Sequence, residues 1–214
     1  MTFRQTIILL MVCAALSWSC DNQDPVETTV PPFVEAVAET IVFTEAQAIY
    51  FGDDGNTGVS DMWYIRLYTD MEQDMSGNPV GPGQLMQISC NTPQETGITT
   101  DCLEGVYIEP SGIYDYSSGT FNPGYMISID LADGKIETPA MSYFADITDG
   151  STDFTPELLR EGHIIVDINK DGTYTIEGTL TGQTFRKRNF TYTGPLESID
   201  ESSARTMKKV LRRR

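Results

Sequence analysis

The sequence predicts an all-β fold, an antiparallel two-sheet sandwich with a closed lipocalin-like barrel as the alternative, on three observations. Apolar residues recur at every second position within short runs, the period that lays one face of a strand on a core. Turn signals rich in Gly, Asp and Asn divide the runs at intervals too short for intervening helices. Forty per cent of the 214 residues are apolar or aromatic, enough for one real core and too many for a disordered chain. Periodicity does not report whether the last strand pairs with the first, so closure stays open here.

The first element is a leader. A single cation, Arg4, precedes an apolar run over 6–16, and Leu16-Ser17-Trp18-Ser19-Cys20 follows. This is the layout of a secretory signal peptide over residues 1–19. The run is about half of what a spanning helix needs. A small residue directly before Cys20 resembles the lipobox of bacterial lipoproteins, which implies acylation of Cys20 as the mature first residue. The plain alternative is an ordinary cleaved signal. Residues 20–34 then read as a tether, polar and acidic (Asp21, Asp24, Glu27) and ending in Pro31-Pro32, unable to bury apolar area. Acids directly after the cysteine resemble the surface-export signal of Bacteroidota lipoproteins, which implies an outer-membrane anchor facing the cell exterior; the alternative is the enteric pattern, in which an Asp at that place implies retention at the inner membrane.

Residues 35–199 form one β domain by this reading. In the run 62–69, Trp63, Ile65 and Leu67 share one face and Met62, Tyr64, Arg66 and Tyr68 the other. Cys90 and Cys102 flank a turn-rich segment, NTPQETGITTD, and in an exported protein that spacing predicts a disulfide. Closing such a loop stabilises by about 3 kcal/mol on the chain-entropy view. No nearby His or second cysteine pair completes a metal site. The segment GIYDYSSGTFNPGY (112–125) gathers Tyr114, Tyr116, Phe121 and Tyr125 beside Asp115 and Asn122. Aromatic faces beside amide and carboxylate groups suit a glycan or another amphipathic ligand; inward packing of a hairpin is the competing use.

The next runs are Tyr125, Ile127, Ile129 and Leu131; then Ile164, Val166 and Ile168; then Tyr174, Ile176, Gly178 and Leu180. Asp-Gly in LADGK (131–135) and INKDGT (168–173) predicts tight hairpins. Thr155-Pro156-Glu157-Leu158-Leu159-Arg160 carries a cap and a Pro at the first turn, the one helical signal in the body. Asp167-x-Asn169-x-Asp171-Gly172 matches half of a calcium loop, but Gly178 stands where the closing ligand is needed, so a hairpin turn and no metal is expected. Arg186 and Arg188 point one way on a strand and Lys187 the other, which predicts cross-strand pairing with acids. Residues 200–214 form a basic tail in which Ala204, Met207 and Leu211 fall on one helical face.

Three stretches carry a resemblance. EGHIIVDINKDGTYTIEGTLTGQTFRKRNFTYTGPL (161–196), with AIYFGDDG (48–55) and EPSGIYDY (109–116), resembles a group of Bacteroides-type lipoproteins with a β-rich C-terminal domain. The resemblance implies an exported, lipid-anchored β domain and transfers no catalytic residue.

Charge narrows the function classes. Six of the fourteen cations lie in residues 205–214 and one in the leader, leaving seven against 31 acids, a formal charge of −24 for the body. Such a surface repels nucleic acid and anionic lipid. His163 is the only histidine, and no nucleophile elbow, phosphate loop or zinc pattern accompanies it. The expectation is a non-catalytic binding or accessory module for a glycan, peptide or partner protein, without a cofactor. The alternatives are a structural or assembly subunit of a cell-surface complex and, more remotely, a hydrolase.

Overall fold

The computed structural model describes residues 39–53, 58–69, 71–73, 79–94, 99–112, 115–131, 134–148 and 155–202. The leader, Cys20, the tether, Tyr114 and all but the first residues of the basic tail lie outside the described residues. The described residues open with β1 (Glu39–Val42), β2 (Glu45–Gly52) and β3 (Ser60–Tyr68), then the short β4 (Glu72–Gln73) and β5 (Pro79–Val80). The long β6 (Gly83–Pro93) leads to a 3-10 turn, Thr100–Leu103, and to β7 (Gly105–Ile108) and β8 (Thr120–Asn122). β9 (Tyr125–Leu131) and β10 (Gly134–Ala140) form a hairpin, followed by β11 (Tyr143–Ile147) and the longest strand, β12 (Glu157–Ile168). β13 (Tyr174–Gly182), β14 (Lys187–Gly194) and β15 (Glu197–Asp200) complete the body.

The all-β architecture is as the periodicity predicts. Eleven strands belong to one sheet, in the order β1-β14-β13-β12-β7-β8-β6-β3-β2-β15, with β11 pairing both β12 and β6. Its two wings, β14-β13-β12 and β6-β3-β2, are the layers that a sandwich requires, but they are joined rather than separate. β12 is bridged to β6 on one side through β7 and β8 and on the other through β11, so β12, β7, β8, β6 and β11 close a ring of five strands. The far margin is also paired. β1 lies parallel to β14, with Glu39 to Val42 opposite Arg188 to Thr191, and β15 lies parallel to β2, with Glu197 to Asp200 opposite Gln47 to Tyr50. The first and last strands therefore exchange wings along a parallel seam, which covers edges that would otherwise invite aggregation.

Alternation decides what is buried. Trp63, Ile65 and Leu67 of β3, Ile88 and Cys90 of β6, Ile164 and Val166 of β12, and Ile176 and Leu180 of β13 meet in the main core. Trp63 Nε1 is the only buried side-chain nitrogen or oxygen without a hydrogen-bond partner among the described residues. A second cluster, built around Tyr68, Leu85, Tyr143, Ala145 and Leu158, fills the opposite side of β11.

Two expectations are corrected. The segment 155–160 is not a helical turn: Glu157 onward is strand β12. Leu158 packs in the second cluster and Leu159 in the main core, and only a strand sends two successive leucines to opposite faces. Second, β9 is not half-buried. Tyr125, Met126, Ile127 and Ile129 are all 39–45% exposed, because β9 pairs with β10 alone, outside the large sheet.

Candidate functional site

The hairpin β9–β10 is the least expected feature of the surface. Seven successive pairs join it, from Tyr125 opposite Ala140 to Leu131 opposite Gly134. Tyr125, Ile127 and Ile129 share a face with Ala140, Thr138 and Ile136, whereas Ser128 and Asp130 share the other with Glu137 and Lys135. Ile136 is 52% exposed. The Lys135–Asp130 ion pair at 3.7 Å joins two largely solvated side chains and adds little.

The root of this hairpin is rigid. Asn91 of β6 and Asn122 of β8 exchange two side-chain hydrogen bonds of 3.1 and 3.0 Å, and Asn122 also donates to the Ser89 hydroxyl at 2.9 Å. The Ser142 hydroxyl donates to the Asn122 carbonyl at 2.6 Å and accepts from the Ser89 amide at 3.0 Å. All four side chains are buried, and a satisfied buried network of this kind holds one geometry. Between β8 and β9, Gly124 donates to the Leu159 carbonyl at 2.8 Å. A Cβ at Gly124 would stand 2.0 Å from the Ser142 carbonyl oxygen, so only glycine permits this approach.

The four predicted ligand-binding aromatics do not converge. Tyr114 lies outside the described residues. Phe121 is fully enclosed, its Cα opposite Cys90, and cannot touch a ligand. Tyr116 is half-buried, and Tyr125 sits at the hairpin root. Asp115 serves its own loop: its carboxylate accepts from the Ser111 amide and hydroxyl and from the Ser117 amide. The Ser117 side chain, then the Ser111 side chain and the two amides, hold its pKa well below the usual range.

Cys90 and Cys102 stand as two thiols rather than the predicted disulfide. Cys90 is entirely buried in β6, and Cys102, on the 3-10 turn, packs against the same core from its rim. Burial pushes the Cys90 thiol pKa up. Over 167–172, Asp171 turns its carboxylate back to the Thr173 amide and hydroxyl, while Asn169 and Gly172 close a hairpin turn. His163 sits on β12 with Ile108 and Thr179 as its strand neighbours.

One charged constellation was half legible. Arg188 does pair with an acid, Glu157, through Nε at 3.0 Å and Nη2 at 2.7 Å. The guanidinium lies 4.0 Å above the Phe144 ring, and Thr184 donates to the same carboxylate. The two charged side chains are only 7% and 12% exposed. Glu157 reaches Arg188 by crossing over Gly182, where a Cβ would collide with the carboxylate. The pair forms the floor of a cleft of about 360 Å³ that Gln84, Asp146, Thr155 and Arg186 also line. The parity of Arg186 and Arg188 was readable from sequence; their acidic partner and Phe144, from distant strands, carried no local signal.

No family model matches the chain, and no curated protein or solved structure matches it.

Proposed function

We propose that the chain is a non-catalytic binding module, lipid-anchored through Cys20 at the outer cell surface, which takes a partner protein on the β9–β10 hairpin. The observation that carries this reading is the exposed apolar face of Tyr125, Ile127, Ile129 and Ile136 on a hairpin with a locked root. A two-stranded ribbon gains little stability alone, and contiguous exposed apolar surface marks an interaction site. Its outer edges pair with no described strand, so an extended partner segment with alternating apolar residues fits by strand addition. The formal −24 of the body favours a partner segment that is basic. A glycan site built on the predicted aromatics loses support, because Phe121 belongs to the core.

Photo-crosslinking from position 127, compared with position 185, where Phe185 is 86% exposed against 39% for Ile127, tests the docking half in the full chain. One adduct specific to position 127, abolished by Ile129→Lys, is expected. Equal labelling from both positions would overturn it. A mature N-terminus other than acylated Cys20, read by mass spectrometry, would overturn the anchoring half. The structural-subunit alternative uses the same face against a second copy. It predicts a crosslinked product of twice the chain mass.

A further inference from the structure

The turn between β13 and β14 displays the most exposed large apolar side chain among the described residues, Phe185 at 86%. Thr181 pairs with Lys187, and the chain reverses over 182–186. The Phe185 amide donates to the Gly182 carbonyl at 2.9 Å, and the Gly182 amide donates to the Arg186 carbonyl at 3.1 Å. A hairpin closed in this way ends its turn on a left-handed residue, a place that glycine fills without strain. Here Phe185 fills it, at φ 61°. A bulky side chain at positive φ is strained, and such strain persists only where the surroundings enforce it.

The surroundings do enforce it. The Gln183 amide donates to the Leu158 carbonyl at 2.8 Å, and the Thr184 hydroxyl donates to the Glu157 carboxylate. That carboxylate is itself fixed by Arg188, in a pair whose side chains are 7% and 12% exposed. The ring is therefore held out on a rigid support, in a backbone state that costs stability, and gains no core contact in return.

Its neighbours indicate what it meets. Three of the seven cations of the body stand at 186–188, and Arg186 and Lys187 are both exposed. Arg186 lines the cleft above the Glu157–Arg188 pair, while Lys187 leaves the other face of β14, so one small anion cannot answer both. A protein partner also fits poorly. A stable interface takes about 800 Å² from each side, and a phenyl ring among Gln183, Thr184, Arg186 and Lys187 offers about 200 Å² of apolar contact. A layer of lipid phosphates above an apolar interior answers the ring and both cations at once.

We infer that the β13–β14 turn is a membrane-contact point, where Phe185 enters the interfacial layer of a bilayer while Arg186 and Lys187 meet the phosphates of anionic lipids. The rest of the body, at a formal −24, repels such lipids, which confines the contact to this turn. One ring and two cations suffice only for a body already tethered, so the contact rests on the anchoring through Cys20 proposed above. It adds which side of the body faces the bilayer.

A benzophenone side chain at position 185 tests this in the full chain on vesicles of equal parts phosphatidylcholine and phosphatidylglycerol. Phospholipid adducts at 185, distinct from the protein adduct expected at 127, should exceed about tenfold those from Val106, which is 56% exposed. Arg186→Gln/Lys187→Gln should lower the yield at 185 about tenfold. Phe185→Gly should melt no lower than the parent, because the strain relieved offsets the entropy that glycine adds to the unfolded chain. Mass spectrometry of the same sample reads the acyl group on Cys20. An acylated chain without phospholipid adducts at 185 would sink the contact and leave the anchor standing; adducts on an unacylated chain would do the reverse. Equal yields from 185 and 106, a yield indifferent to the double replacement, or a lower melting temperature for Phe185→Gly would also overturn the contact.

Discussion

At the scale of single residues the most constrained groups are those whose charge has nowhere to go. Cys90 is enclosed, and burial raises its pKa; burial also raises Tyr107 and lifts Tyr64 to about 12. Each group is neutral in the fold and ionises more readily in the unfolded chain, at about 8.5 for a thiol and 10 for a phenol. Their contribution is therefore complete below about pH 8.5 and is lost as pH rises towards 12. Melting temperature should stay level from pH 7 to 8 and fall steadily above about 9; a flat profile to pH 11 would contradict this. In peptide-mapped alkylation, Cys90 should remain unlabelled until the protein unfolds, and then label without added reductant. The Glu157–Arg188 pair behaves differently. Removing one partner strands a buried charge, so Arg188→Met should cost about 3–5 kcal/mol in denaturant unfolding. Gly182→Ala should follow in the same direction, since a methyl there pushes Glu157 aside.

At the scale of elements, the hairpin and the core strands should part company under mutation. Ile129→Thr on the exposed face should move stability by less than about 0.5 kcal/mol, whereas Ile164→Ala in β12 should cost about 2–5 kcal/mol. Comparable losses at the two sites would mean that the hairpin packs on something. The same contrast explains what was readable beforehand. Trp63, Ile65 and Leu67 alternate and are buried as predicted, because period two suffices when one face meets a core. Tyr125, Ile127 and Ile129 alternate equally well yet stay exposed, since periodicity reports that a face is apolar and not what covers it. The cap and proline at 155–156 were overruled by two leucines with two different cores to fill. Fifteen strands occur among the described residues, more than the alternating runs mark. The shortest, such as β4, β5 and β8, are made by long-range pairing rather than local pattern. The site was less legible than the fold. Phe121 read as a ligand platform because a turn-rich segment surrounds it, while the Asn91–Asn122 lock joins residues 31 apart.

For the whole molecule, connectivity dominates. β15 pairs with β2 across about 150 residues of sequence, and β1 with β14 across a similar span. Loop closure must precede these contacts, so folding should be slow, in the millisecond-to-second range of non-local β topologies or slower. Stopped-flow refolding followed by Trp63 fluorescence checks this; a microsecond phase carrying the full amplitude would refute it. Native-state hydrogen exchange should be slowest in β3, β6, β12 and β13, long strands that each have paired neighbours on both sides, and fastest in the β9–β10 hairpin.

The exchanged end strands also determine how the domain would respond to a pull. Glu39 enters at one end of the seam and Asp200 leaves at the other, with the two ribbons running the same way between them. Tension applied at those two points slides one ribbon along the other, loading the rungs together instead of opening them one by one. A body held by its front end and tugged from its back end would thus resist as a shear clamp. Single-molecule stretching along that axis should need more force than stretching across the hairpin.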